Sequence, residues 1–306
     1  MHKKILFPIL VFLISGTVFA RAASLVDGKT LVLYDAASGT LPDPSLMGYT
    51  AFPPDAVSLT YSDGVTILDT TPVGMDAYAG WVSSGATVAG FPIFDRTAGV
   101  QVNFTLQLES ETHDNQSRSG FNVIVLDRDA RGIELGFWSN EIWAQNDDTS
   151  GGLFTHGEGA AFDTTAGLIE YQLTLNADSY TLTANGVPIL NGPIRDYSRF
   201  EGFIDPYETP NFLFLGDDTT SAQSRVRLRF ISVTGTEPVV SATVTSINTD
   251  LPLPTVFSTP TSTSTPVLLP TSTPTKRVVE LCPSGWLFVL VMVGSIFLIT
   301  KSRGRL

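Results

Sequence analysis

VQVNFTLQL, residues 100–108, alternates apolar and polar side chains without a break. Val100, Val102, Phe104, Leu106 and Leu108 fall on one side of an extended chain, and Gln101, Asn103, Thr105 and Gln107 on the other. Successive side chains of a strand point to opposite faces, so this run predicts a strand with one buried side. The same period recurs downstream. YQLTLNADSYTLTANGVPIL, 171–190, holds three such runs, with Tyr171, Leu173 and Leu175, then Tyr180, Leu182 and Ala184, then Val187 and Ile189 expected inward. Asn185 and Gly186 tolerate positive φ and mark a tight hairpin between two of them. RVRLRFISV, 225–233, sets Val226, Leu228 and Phe230 against Arg225, Arg227 and Arg229, an arginine ladder expected on a solvated or ion-paired sheet face.

No long segment between the two ends of the chain shows helical spacing. Many short strands joined by glycine- and aspartate-rich turns predict an all-β fold, an antiparallel two-sheet β-sandwich or jelly roll. Residues 25–81 are less regular, and GTLPDPSLMGYTAFPPDA, 39–56, reads as loop joining one or two early strands.

The ends define the domain. His2, Lys3 and Lys4 precede an apolar run from Ile5 to Phe19, and Ala20, Ala22 and Ala23 follow. That order is expected of a secretory signal peptide over residues 1–23. Residues 236–280 are built largely of Thr, Ser, Pro and Val and predict an extended, disordered stalk. Residues 281–300 form an apolar segment just long enough for one C-terminal transmembrane helix, with a basic tail at 301–306 that the positive-inside bias keeps cytoplasmic. The remaining 24–235 is expected to be one ectodomain, exported and held at the cell surface through the C-terminus.

Charge narrows its partners. This segment carries 27 Asp and Glu against 10 Lys and Arg, a surface that repels nucleic acid and anionic lipid headgroups and tolerates neutral glycans, cations or basic proteins. The one cysteine of the chain, Cys282, lies outside it, so the ectodomain has no disulfide.

GIELGFWSNEIWAQND, 132–147, is the stretch richest in candidate chemistry. Folded as a hairpin turning at Ser139 and Asn140, it pairs Phe137 with Ile142, Gly136 with Trp143 and Leu135 with Ala144. Alternation then puts Ile133, Leu135, Phe137, Ile142 and Ala144 on the core face and Glu134, Trp138, Glu141, Trp143 and Gln145 on the opposite one. Gly136 leaves a slot over which the Trp143 indole can lie. Aromatic rings beside polar groups on one sheet face stack on sugars and bond their hydroxyls, so these five residues are the candidate ligand-binding set. If residues 25–81 cover the face instead, Trp143 is core.

RSGFNVIVLDRDARGIELGFWSNEIWAQND (118–147), LFTHGEGAAFDTT (153–165), YQLTL, IRDYSRF and PNFLFLGDDTTSA, with GTLPD (39–43) and FDRTAGV (94–100), resemble the choice-of-anchor Y domain of bacterial surface proteins over about Leu31 to Val233. The resemblance implies a concanavalin- or laminin-G-like sandwich displayed on a bacterial surface, and brings no catalytic residues with it. The order of cysteine, apolar span and arginines also resembles sorting signals cleaved by membrane transpeptidases. Cys282 is then a site of cleavage or lipid attachment; in a plain membrane anchor it is incidental.

Other chemistry is weaker. A retaining glycoside hydrolase needs two carboxylates about 5 to 5.5 Å apart across the scissile bond. Laminarinase-type enzymes carry theirs at alternate positions of one strand, where this chain has Gly136 and Trp138 after Glu134. His156 and Glu158 lack a third metal ligand at diagnostic spacing. No cofactor is expected, apart from a candidate structural calcium at Asp127 and Asp129 or at Asp217 and Asp218, two loops that need not share one ion; these aspartates place hard oxygen ligands between strands but also serve as ordinary turn residues. The sequence favours an exported, surface-anchored binding or adhesion module for a glycan or envelope component. A structural surface protein without ligand, and a hydrolase, are the alternatives.

Overall fold

A computed structural model describes residues 28–238, apart from 55, 56, 150, 203 and 204. The expected signal peptide, nearly all of the stalk, the apolar segment, the basic tail and Cys282 lie outside the described residues.

Among the described residues, fifteen strands form two antiparallel sheets. Lys29–Asp35 (β1), Gly48–Phe52 (β2), Ser58–Ser62 (β3), Val65–Asp69 (β4) and Tyr78–Ser84 (β5) come first. Val100–His113 (β6), Asn122–Leu126 (β7), Gly132–Phe137 (β8), Glu141–Gln145 (β9) and His156–Ala161 (β10) follow. Ile169–Asn176 (β11), Ser179–Ala184 (β12), Val187–Pro193 (β13), Phe212–Asp217 (β14) and Ala222–Gly235 (β15) complete them. The eight-stranded sheet runs β13-β12-β11-β6-β15-β4-β3, with β1 also paired to β15; the seven-stranded sheet runs β10-β9-β8-β7-β14-β5-β2. Helical structure among the described residues is limited to 3-10 turns at 36–38, 71–76 and 206–208. All pairing and the core itself close within 29–236, so residues 24–238 can fold as a unit.

The expected alternation holds along β6, β11 and β12, where Val100 through Leu108, Tyr171, Leu173, Leu175, Tyr180, Leu182 and Ala184 are all buried in one core. Edge-on rings lock the sheets together: Phe137 of the seven-stranded sheet meets Phe104 at 6.2 Å and Tyr171 at 5.5 Å, at interplanar angles of 72° and 88°. Such pairs add to area burial through the opposed signs of ring edge and ring face. Asn185 and Gly186 take φ of 47° and 78°, the doubly positive turn that matches strand twist.

Three expectations are corrected. Residues 39–56 are not all loop, since they contain β2, and residues 25–81 supply four short strands and the start of β5 rather than one or two. Val187 is 61% exposed, because β13 is an edge strand whose first residues extend past the core. Phe230 does not point inward. A bulge at Arg229 lets two residues pass one step of β6, so Leu228 pairs with Leu106 while Phe230 pairs with the outward Thr105, and Ile231 takes the core position. The bulge falls where β15 exchanges partners, from β4 up to Leu228 to β1 from Phe230 onward.

Core and edge predict different sensitivities. Leu173→Ala, at a fully buried position, is expected to cost about 2–5 kcal/mol in urea unfolding, and Val187→Ala under about 0.5 kcal/mol. Similar losses from both would contradict the edge assignment.

Candidate functional site

The β8–β9 hairpin has the expected register: Leu135 pairs with Ala144, Gly136 with Trp143 and Phe137 with Ile142. Trp138 N–H donates to the Glu141 carbonyl at 2.8 Å and closes the two-residue loop. Ile133, Leu135, Phe137, Ile142 and Ala144 enter the inter-sheet core, leaving the five candidate residues on the outer face.

That face is built around Trp143. Its strand neighbours at this level are Gly136 on β8 and Gly159 on β10. A Cβ on Gly136 would lie 2.8 Å from the indole, so Gly136 is sterically required, and one on Gly159 would crowd the Trp143 Cβ at 3.2 Å. Trp143 is fully buried. The His156 ring stacks on it at 4.4 Å and 16°, Trp138 lies against it at 5.4 Å, and His113 stacks on Trp138 at 4.3 Å and 10°. Each histidine has its own carboxylate: His113 Nδ1 is 3.0 Å from Glu111, and His156 Nε2 is 3.4 Å from Glu141. Trp138 Nε1 donates to the Arg118 carbonyl. Trp138, Glu141 and both histidines remain half-buried, so the outer edge of this stack meets solvent.

Glu134 and Gln145 are buried beside it, at 2% exposure each. The cover is not residues 25–81. It is a pair of loops after β9 and β13, carrying Leu153, Phe154, Tyr197, Phe200 and Tyr207 onto Ile124, Leu126, Phe212 and Phe214. Tyr207 Oη donates to Glu134 Oε2 at 2.5 Å, and Tyr197 Oη donates to the Gln145 carbonyl at 2.9 Å. Burial pushes the Glu134 carboxyl up to about 8, and the neighbouring Asp218 adds to the rise, opposed by Tyr207 and Arg118. Asp218 is raised as well; its residue is open to the surface, but its carboxylate turns inward and accepts from Asn122 Nδ2 at 2.6 Å.

This patch is underbonded. Asn122 Oδ1, Trp143 Nε1 and Gln145 Oε1 are buried and have no hydrogen-bond partner among the described residues. Asn122, Gly136 and Trp143 lie in one row across the sheet, with Glu134 and Gln145 adjacent.

The four aspartates do not converge. Asp127 caps the turn after β7, accepting from the Asp129 and Arg131 amides and pairing with Arg96, which also faces Asp129. Asp217 and Asp218 end β14, antiparallel to β7, so they sit roughly 20 Å away at the other end of the strands. Asp217 accepts from Thr70 Oγ1 at 2.8 Å, on a different side from Asp218. The two loops cannot share one calcium, and no group of three or more His, Cys, Asp or Glu converges as a metal site among the described residues. Glu158 is likewise turned from His156, toward Arg195 and Tyr180.

Arg118, Asn122, Tyr207 and the two histidines entered no expected site. Only His113 and His156 carried a signal, as the ectodomain's sole histidines.

No family model matches the chain, and no curated protein matches it. Among solved structures, a carbohydrate esterase from the Shiga toxin-encoding bacteriophage phi24B aligns at 11% identity and TM-score 0.45, over 68% of this chain and all of that one. A Bacillus subtilis protein of unknown function with a galectin-like fold aligns at 11% and 0.38, over 61% and 88%. The exoplasmic/lumenal domain of VIP36, in a calcium- and mannose-bound form, aligns at 9% and 0.38, over 70% and 92%.

The buried carboxyls set a pH dependence. Glu134 is raised to about 8 and Asp217, chiefly by burial, to about 9, so the folded chain holds these protons more tightly than the unfolded chain does. Their contribution is fully present below about pH 4 and is lost as pH rises through 8 and 9. Stability is expected to fall between pH 5 and 9, and Glu134→Gln and Asp217→Asn to flatten that slope by about 1 kcal/mol or more each. A slope unchanged in both variants, measured by urea unfolding across this range, would refute the assignment.

Proposed function

We propose that this chain is an exported, surface-anchored binding module that recognises a glycan or other envelope component at the open edge of the His113–Trp138–Trp143–His156 stack. One observation carries the reading: half-buried rings and the Glu141 carboxylate lie together at the solvent edge of one sheet face, backed by a fully buried indole. Ring faces supply stacking area, and the half-buried Glu141 carboxylate accepts from a ligand's hydroxyls, while the sealed floor holds the rings in place. Trp138, Glu141, His113 and His156 make first contact; Trp143, Glu134 and Gln145 hold the floor.

Display at a bacterial surface rests on the resemblance to choice-of-anchor Y domains and on the order of the ends: leader, Thr/Ser/Pro stalk, apolar segment, basic tail. Cys282 is the proposed point of transpeptidase cleavage or lipid attachment. A non-catalytic role is favoured because Glu134 is occupied by Tyr207 while Glu141 turns to His156, so the two do not flank a common open cleft.

A glycan array probed with residues 24–238 tests the reading. Binding to at least one glycan class is expected, with Trp138→Ala weakening it about ten-fold or more, the loss of one stacking contact. Binding that Trp138→Ala leaves intact, or none on the array, would remove this site as the recognition surface.

A further inference from the structure

The outer face of the eight-stranded sheet carries a groove of about 640 Å³ that plays no part in the site above. Its floor follows from strand register. In one row Thr183 pairs with Gln172, Gln172 with Asn103, and Asn103 with Ser232; in the next, Glu170 pairs with Thr105, Thr105 with Phe230, and Phe230 with Asp35. Each row crosses strands, and the path from β12 through β11, β6 and β15 to β1 spans about 19 Å.

The first row is a hydrogen-bonding ladder. Gln172 Nε2 donates to Asn103 Oδ1 at 3.0 Å, and Asn103 Nδ2 donates to Ser232 Oγ at 3.4 Å. A primary amide has two N–H donors and an oxygen with two lone pairs, so the ladder keeps donors and acceptors to spare. The second row holds one ring. Phe230 is there only because the bulge at Arg229 reverses the outlook of β15, and bulges commonly re-aim a side chain beside a binding site. Arg229 itself is exposed at the groove wall.

Three occupants can be weighed. A peptide added as a strand needs an open sheet edge, and this groove lies on a face. An amphipathic helix needs a broad apolar floor, and the rows present outward only Phe230 and, beyond Ser232 on β1, Val32. A polyanion meets Glu170 and Asp35 on a chain of formal net charge -12. A neutral sugar chain fits: one ring to stack on, and amides and hydroxyls in register on either side.

We infer that this groove is a second ligand site, for a neutral oligosaccharide strand lying across the sheet, which makes the module two-faced and able to bridge two glycan chains. The inference does not depend on the site at the Trp138 stack. Residues 24–238 are titrated with maltohexaose, cellohexaose, laminarihexaose or chitohexaose to about 5 mM, above the ~1 mM Kd of a shallow site. Side-chain amide resonances of Asn103 and Gln172 and the ring of Phe230 are followed by NMR. At least one hexasaccharide is expected to shift all three. Phe230→Ala should weaken that binding about ten-fold, Thr105→Trp, which fills the floor, should abolish it, and Trp138→Ala should leave it unchanged. Shifts with none of the four sugars, or shifts that survive Thr105→Trp, overturn the inference. Shifts lost with Trp138→Ala also overturn it and leave the Trp138 site as the one that binds.

Discussion

The outer face of the seven-stranded sheet depends on one steric allowance, an indole laid flat between two glycines. Trp143 has Gly136 on one flank and Gly159 on the other, and a methyl group at Gly136 already intrudes on the ring. With the slot open, Trp143 presents a broad apolar plane on what would otherwise be a polar sheet face. His156 covers that plane, Trp138 leans on its edge, and His113 extends the stack to the end of β6. Burying an indole whole is worth several kcal/mol, enough to offset leaving its N–H without a partner.

The polar half of the face is then trapped between this stack and the covering loops. Glu134 keeps a proton because the loss of solvent makes a charge there costly by more than the Tyr207 hydroxyl offsets, and Asp218 beside it makes a second charge costlier. The result is a closed polar floor with an aromatic edge open to solvent. A binding surface benefits from this division, since a floor already desolvated does not have to be dehydrated again when a ligand docks.

How far the sequence reaches is set by periodicity. Period two sorted the ten side chains it assigned in GIELGFWSNEIWAQND onto the correct faces, and the Gly136 slot followed from pairing alone. The cover did not follow, because Tyr197 and Tyr207 sit in irregular segments, the latter on a three-residue 3-10 turn with no repeating pattern. Phe230 was misplaced for a related reason: the bulge at Arg229 answers a change of partner strand, which only the assembled sheet displays. The early strands were missed because GYTAF and SLTYS are short and borrow their stability from β5 and β4. The aspartates of LDRDARG and LGDDTTS look alike in composition, yet antiparallel pairing of β7 and β14 sends them to opposite ends.

The central claim, that Trp138 is the open edge of a stack whose floor is sealed, has a direct measurement in acrylamide quenching of tryptophan fluorescence. Residues 24–238 contain three tryptophans, and Trp81 and Trp143 are both buried. The account predicts that quenching reports Trp138, so Trp138→Phe leaves emission that acrylamide barely touches. Strong quenching that persists in Trp138→Phe would mean that Trp143 is reached by solvent, and would contradict the sealed floor.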